Sequence, residues 1–194
     1  MKSFHPAKVR GPMKIKIKQL HRDKSGQALV ELPFALLVLC VFVFGIIDFG
    51  RAIYDVEVMN NLIGEGSSMA SRGASLATTA QTVTNYAGSD LNISTQGCVI
   101  VTSVTNNSGS LQVTSQASQG GIACTSKVGC LNGQGSCGSS SATLPAAAST
   151  ALLAEATGSS LYVTEIFYTY NTITPISGLL GQSMPSQFYR VAYY

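Results

Sequence analysis

The residue types that could do chemistry in this chain fall into three groups. Gly26 and Glu31 stand five residues apart at the front of a long apolar run. Cys98, Cys124, Cys130 and Cys137 lie far behind it. The two histidines, His5 and His21, both precede it. With no histidine beyond the run, the larger part of the chain has no imidazole base and no histidine metal ligand. Its acids Asp55, Glu57 and Glu65 fall on one expected helix, and Asp90, Glu155 and Glu165 are scattered. No Gly-x4-Gly-Lys-Ser/Thr segment is present to cradle phosphate. The inventory is poor for an enzyme, and no catalytic residue, metal site or cofactor is expected. A hydrolase would have to be built from carboxylates alone.

The four later cysteines are an even number in what should be an oxidising compartment, so disulfides are expected among them, in any of three connectivities. Their spacings in the loop match no common zinc finger. Cys40 lies within the apolar run and reads as a small apolar filler. Gly26 and Glu31 suit a different chemistry. A glycine lets a backbone enter a peptidase cleft without a side chain, where a helix has not yet formed. A carboxylate in the first helical turns is favoured by the helix dipole but costly in a membrane unless paired.

The element that positions these two residues is Ala28–Ile47, twenty residues whose only charge is Glu31. That is about the length needed to cross a hydrocarbon core of roughly 30 Å as a helix. Before Gln27 there are eight Lys or Arg against Asp23 alone, whereas from Gln27 onward four face eight acids. The positive charge is therefore a property of the leader, and by the positive-inside rule it holds that end in the cytoplasm. Lys14-Ile15-Lys16-Ile17-Lys18 reads as this topogenic flank, and no nucleic-acid partner is expected.

Past the run the helix should continue. Ile46, Phe49, Ile53, Val56, Asn60 and Ile63 recur at steps of three and four, a packing seam for this chain's own domain or for another subunit. Gly66, Ala70, Gly73 and Ala77 extend the spacing with small residues. Arg51 can reach Asp48 and Asp55 as a solvated ion-pair cluster. The helix should end near Leu76, because Thr78-Thr79 and then Gly88-Ser89 interrupt it. Cys98–Val104 and Leu111–Thr114 flank Asn106–Ser110 as a β-hairpin with a glycine turn. Gln119–Thr143 reads as a Cys-rich loop. Leu144–Ala156 reads as a short helix with Ser149 as a candidate cap. Tyr162–Tyr170 reads as an alternating strand, with Val163 and Ile166 or Phe167 against the helix, and Gln187–Tyr194 as a final strand. The tyrosines Tyr189, Tyr193 and Tyr194 read as packing residues of that strand. The fold class is α+β: a long N-terminal membrane-spanning helix continuing into a small antiparallel sheet domain, pilin-like in outline. Its parts are a basic cytoplasmic leader (1–26), a transmembrane and extended helix (27–77) and a mainly β domain outside (78–194).

Basic leader, Gly26, apolar helix and Glu31 together share the layout of class III (prepilin) signals. The stretch from Ser25 to Ser75 resembles the N-terminal region of TadE-like proteins, pseudopilins of the tight-adherence (Tad/Flp) pilus assembly system. The matching features are Gly26-Gln27-Ala28-Leu29-Val30-Glu31, Gly45-Ile46-Ile47-Asp48-Phe49-Gly50-Arg51, and Asn60-Asn61 followed by Gly64-Glu65-Gly66 and Ala70-Ser71-Arg72. Leu32, where an aromatic is usual, and the early Pro33 depart from the pattern; Pro33 should bend or delay the helix start. The resemblance implies a structural, non-catalytic minor pilin or pseudopilin. It implies cleavage by a prepilin peptidase after Gly26, with Gln27 as new N-terminus and Glu31 as the carboxylate that sets register in assembly. The implied partners are other pilin or pseudopilin subunits, the Tad assembly platform and the inner membrane, with the C-terminal domain periplasmic or on a surface pilus. The alternative is an uncleaved single-pass membrane-anchored periplasmic binding protein.

Overall fold

The computed structural model describes residues 24–88, 90–130, 135–175 and 185–194. The basic leader up to Asp23, with His5 and His21, lies outside them. The described residues fall into two units, one up to Cys40 and the other Val41–Tyr194. The first helix, α1, runs from Lys24 to Ser71 and contains Pro33. Pro33 neither ends the helix nor delays its start, since helix is already formed nine residues earlier.

Helix α1 stops at a Schellman turn. Gly73, at φ +95°, donates its N–H to the Ala70 carbonyl (3.0 Å), and Ala74 donates to that of Met69 (3.2 Å). Gly73 therefore ends the helix and does not extend a small-residue seam. A second helix, α2 (Leu76–Ala87), begins where the sequence suggested an end to helix. Ser75 caps it by accepting the Thr78 N–H at 3.1 Å. That cap satisfies a backbone donor in the first turn, and Thr79 faces inward, fully buried.

After the short helix α3 (Ile93–Gln96) come β1 (Gly97–Asn107) and β2 (Ser110–Gly120). They form the expected hairpin, turning through Ser108 and Gly109, both at positive φ. Strand β3 (Gly135–Ser141), helix α4 (Ala146–Ala154), β4 (Ser160–Thr169) and β5 (Gln187–Tyr193) follow. The antiparallel sheet has the order β3-β2-β1-β4-β5. The stretch read as a loop thus contributes an edge strand, paired to β2 through Gln112–Ser141 and Gln116–Gly135. Ser149 lies inside α4 and donates its hydroxyl back to the Leu144 carbonyl; Pro145 occupies the N-cap position.

Both faces of the sheet are covered, which is why β1 reads as a continuous apolar run and not an alternation. On one face Val99, Val101, Ile166 and Tyr168 pack with Met59, Leu62 and Ile63 of α1 and Val83 of α2. On the other, Val104, Val113 and Val163 pack with Val128 and Leu152, and Cys98 and Ile100 with Phe167. Of the β4 residues expected on the helix side, Ile166 is there. Val163 and Phe167 face the opposite way.

Candidate anchoring and assembly surface

In the first unit, Gly26 and Gln27 lie within α1, so the glycine does not precede the helix. Glu31 is exposed, as are Cys40 and the apolar side chains around them. From Leu29 onward α1 is long and apolar enough to cross a membrane. An apolar helix surface of this length left uncovered is what a lipid-spanning segment presents.

In the second unit α1 carries two stripes. The inward one is Asp48, Ala52, Asp55, Met59, Leu62, Gly66 and Ala70, all buried. It also keeps steps of three and four, but its two aspartates hide it from a hydrophobicity reading. The seam read from sequence is the other. Ile46, Phe49 and Ile53 are 72%, 48% and 66% exposed, Val56 is half-buried, and Ile63 is buried. A strict three-and-four repeat slips about 20° per heptad on a straight helix; two heptads of slip, roughly 40°, added to the roughly 60° offset between the two positions of the repeat, turn Ile63 about 100° from Ile46 and into the core.

Asp48 and Asp55 do not form a solvated cluster with Arg51. Arg51 is exposed, whereas both aspartates are buried. The segment after β4 clasps Asp48: Ile173 N–H donates to its Oδ1 at 3.2 Å, the Thr174 hydroxyl donates to Oδ2, and Tyr170 Oη donates to its carbonyl at 2.8 Å. Asp55 Oδ2 is buried without a hydrogen-bond partner among the described residues. Burial raises the Asp55 carboxyl above the ordinary range; Arg51 opposes the shift and Asp90 adds to it. Asp90 in turn accepts the Tyr54 hydroxyl at 3.3 Å.

Two grooves open beside α1. One, of about 300 Å³, lies between its outward stripe and the start of β5, lined by Phe49, Ile53, Val56, Phe188 and Arg190 among others. The second, about 470 Å³, is lined by Val58, Leu62, Glu65, Val83, Tyr86 and Asp90.

On the far face of the sheet the four outer cysteines are joined as Cys98–Cys124 and Cys130–Cys137, with Cα separations of 6.2 and 5.7 Å. The loop between these bridges is tied down by Glu165, a fully buried carboxylate that sequence reading left among scattered acids. Glu165 accepts the Ser126 hydroxyl, the Lys127 N–H (2.9 Å) and the Tyr189 hydroxyl (2.9 Å). Lys127 Nζ sits 3.7 Å above the Tyr189 ring. A lone charge in the middle of a strand otherwise made of apolar and hydroxyl-bearing residues is the signal that could have found it. Among the described residues, no three or more His, Cys, Asp or Glu are grouped so as to hold a metal ion.

The chain is an α+β protein whose long apolar N-terminal helix leads into a small five-stranded antiparallel sheet. Residues 26–67 match the family model described as TadE-like protein. The resemblance read between Ser25 and Ser75 therefore holds over those residues, about a fifth of the chain. No curated protein and no solved structure matches the chain.

Proposed function

We propose that this chain is a minor pilin or pseudopilin of a Tad/Flp-type pilus system. In this reading it is made as a precursor in the inner membrane, cut after Gly26 by a prepilin peptidase, and assembled through its apolar helix. Gln27 becomes the N-terminus and Glu31 the carboxylate that pairs with a neighbouring subunit, since an acid in lipid needs a partner. The role is structural, the domain lies on the periplasmic side, and no turnover is assigned to the chain. The observation that supports this most is where the family match begins: at Gly26 itself, in the first turn of a helix whose exposed apolar stretch carries Glu31.

The test is the N-terminus and intact mass of membrane-extracted protein, for wild type and Gly26→Ala. A mature chain starting at Gln27, with precursor accumulating in the variant, is the expected result. An intact leader in both overturns cleavage at this site. The second reading, an uncleaved anchored binding protein, draws on the open groove at Glu65, Tyr86 and Asp90; it predicts normal function for Gly26→Ala and Glu31→Gln.

A further inference from the structure

The apolar run ends at Ile47, yet the outward stripe of α1 stays apolar through Phe49 and Ile53. The end of the run and the groove beside it belong to one compact unit, Val41–Tyr194. At 1.5 Å per residue, Phe49 lies about 3 Å and Ile53 about 9 Å beyond Ile47 along the helix. The headgroup layer on each side of a bilayer is roughly 5–7 Å thick, so the Phe49 end of the groove opens at that level, while Val56, about 13 Å beyond Ile47, lies past it.

Its chemistry matches the level. Phe49, Ile53, Val56 and Phe188 give it apolar walls, and among the described residues its one charged lining residue is Arg190. From Gln27 onward the chain has only four Lys or Arg against eight acids, so a cation set alone among apolar residues runs against the domain's balance. Arg190 donates from Nη1 to the Tyr189 carbonyl at 2.9 Å, and its fork has further N–H donors for a phosphate. Three acids adjoin lining residues in sequence: Asp48 is turned inward and held by Ile173 and Thr174, Asp55 is buried, and Glu57, beside Val56 at the end away from the apolar run, is exposed.

We propose that this groove seats a phospholipid from the leaflet on the domain's side of the membrane. The upper part of an acyl chain lies against Phe49 and Phe188 at the membrane end of the groove, and the lipid phosphate rests on Arg190. This rests on the reading that α1 crosses the membrane. Its consequence is that the start of β5 touches the membrane surface, which fixes the domain as well as the helix.

The chain contains no tryptophan, so Phe188→Trp supplies a single indole at the groove. The full-length variant is reconstituted in phosphatidylcholine–phosphatidylglycerol vesicles, floated, and titrated with lipids brominated near the headgroup. Phe49→Trp is a second reporter should Phe188→Trp not fold. Tyr86→Trp is the control, because its neighbour Glu65 lies roughly 27 Å along α1 past Ile47. The expected result is quenching of the groove indole but not of Trp at position 86. Adding Arg190→Gln should lower the preference for phosphatidylglycerol about fivefold, the worth of one cation at an anionic surface. A floated protein whose groove indole is quenched by acrylamide and not by bromolipid overturns the proposal while leaving the anchor intact. An indole shielded from both only at high protein density assigns the groove to a second copy and also overturns it. Protein that fails to float with vesicles removes the anchoring reading and the proposal together. An unchanged lipid preference in Arg190→Gln overturns the phosphate contact.

Discussion

Tyr189 donates its hydroxyl to Glu165 across the β4–β5 pair, and the same carboxylate holds the Ser126 hydroxyl and the Lys127 amide. One buried side chain thereby joins the Cys-rich loop to the last two strands. Replacing it with Ala strands three donors on a covered face. Glu165→Ala should cost about 3 kcal/mol or more, and Tyr189→Phe about 1 kcal/mol, read from urea unfolding midpoints. A loss below about 0.5 kcal/mol in Glu165→Ala would show the clasp to be dispensable.

The same pair sets a response to alkali. Burial first, and then Glu165, hold the Tyr189 phenol protonated well above its usual range. A phenol ionises near pH 10 in the unfolded chain but not in the folded one, so stability is full below about pH 10 and falls as pH rises further. Tyr168, Tyr170 and Tyr193 are shifted the same way by burial. Tyr189→Phe should therefore reduce the steepness of alkaline unfolding by about one proton without abolishing it. Denaturation midpoints measured between pH 8 and 11 check this.

Asp55 gives the opposite end of the pH scale. Its carboxyl is raised in the folded state, so the folded chain holds that proton more tightly. The contribution is present below about pH 4 and is lost as pH rises through the folded value. Asp55→Asn should flatten this dependence and leave the protein at least as stable as wild type at pH 7. A variant less stable at pH 7 would mean that the carboxylate has a partner in solution.

Peptide mapping without reductant should recover Cys98 linked to Cys124 and Cys130 linked to Cys137. The first bridge spans 26 residues and the second 7. Chain entropy then gives about 3.5 kcal/mol for the first and about 2.4 kcal/mol for the second. Paired Cys→Ser substitution of Cys98 and Cys124 should be the more damaging. Equal losses from the two paired variants would count against the entropic account.

Two glycines separate conformational strain from crowding. A side chain at Gly121 would land on the Ser94 carbonyl and the Thr95 backbone, neither of which is a yielding side chain. Gly121→Ala should cost at least 1–3 kcal/mol, roughly the price of overpacking. Gly73 has open space around it but a left-handed backbone, so Gly73→Ala should cost only about 1–2 kcal/mol. Thermal melts of the two variants rank them.

How much of this was legible depends on whether a residue's role leaves a pattern in hydrophobicity. The apolar helix, the β1–β2 hairpin and strands β4 and β5 leave one, and were readable. Strand β3 does not: Gly135-Ser136-Cys137-Gly138-Ser139-Ser140-Ser141 has no alternation, and it is a strand because β2 offers it an edge. Helix α2 was obscured by Thr78-Thr79, whose weak propensity is overridden by the Ser75 cap and by burial of Thr79, Ala80 and Val83. The inward face of α1 was obscured because two of its positions are Asp48, whose partners come from the segment after β4, and Asp55, which is buried without any pattern in hydrophobicity to show it. Glu165 was missed for the same reason, its partners lying 24 to 39 residues away in sequence.

The central place of β1 also orders events in time. Its pairing with β2 is local, and the turn at Ser108-Gly109 lets that hairpin close on a scale of microseconds. Its other edge is filled by β4, where Thr105 meets Ser160 across 55 residues of chain. That second pairing must first overcome the closure entropy of the intervening segment. The bridge between Cys98 and Cys124 ties the ends of the hairpin without waiting for it. The folding chain should therefore pass through a state with the hairpin closed and the β4 edge of β1 still open to another strand.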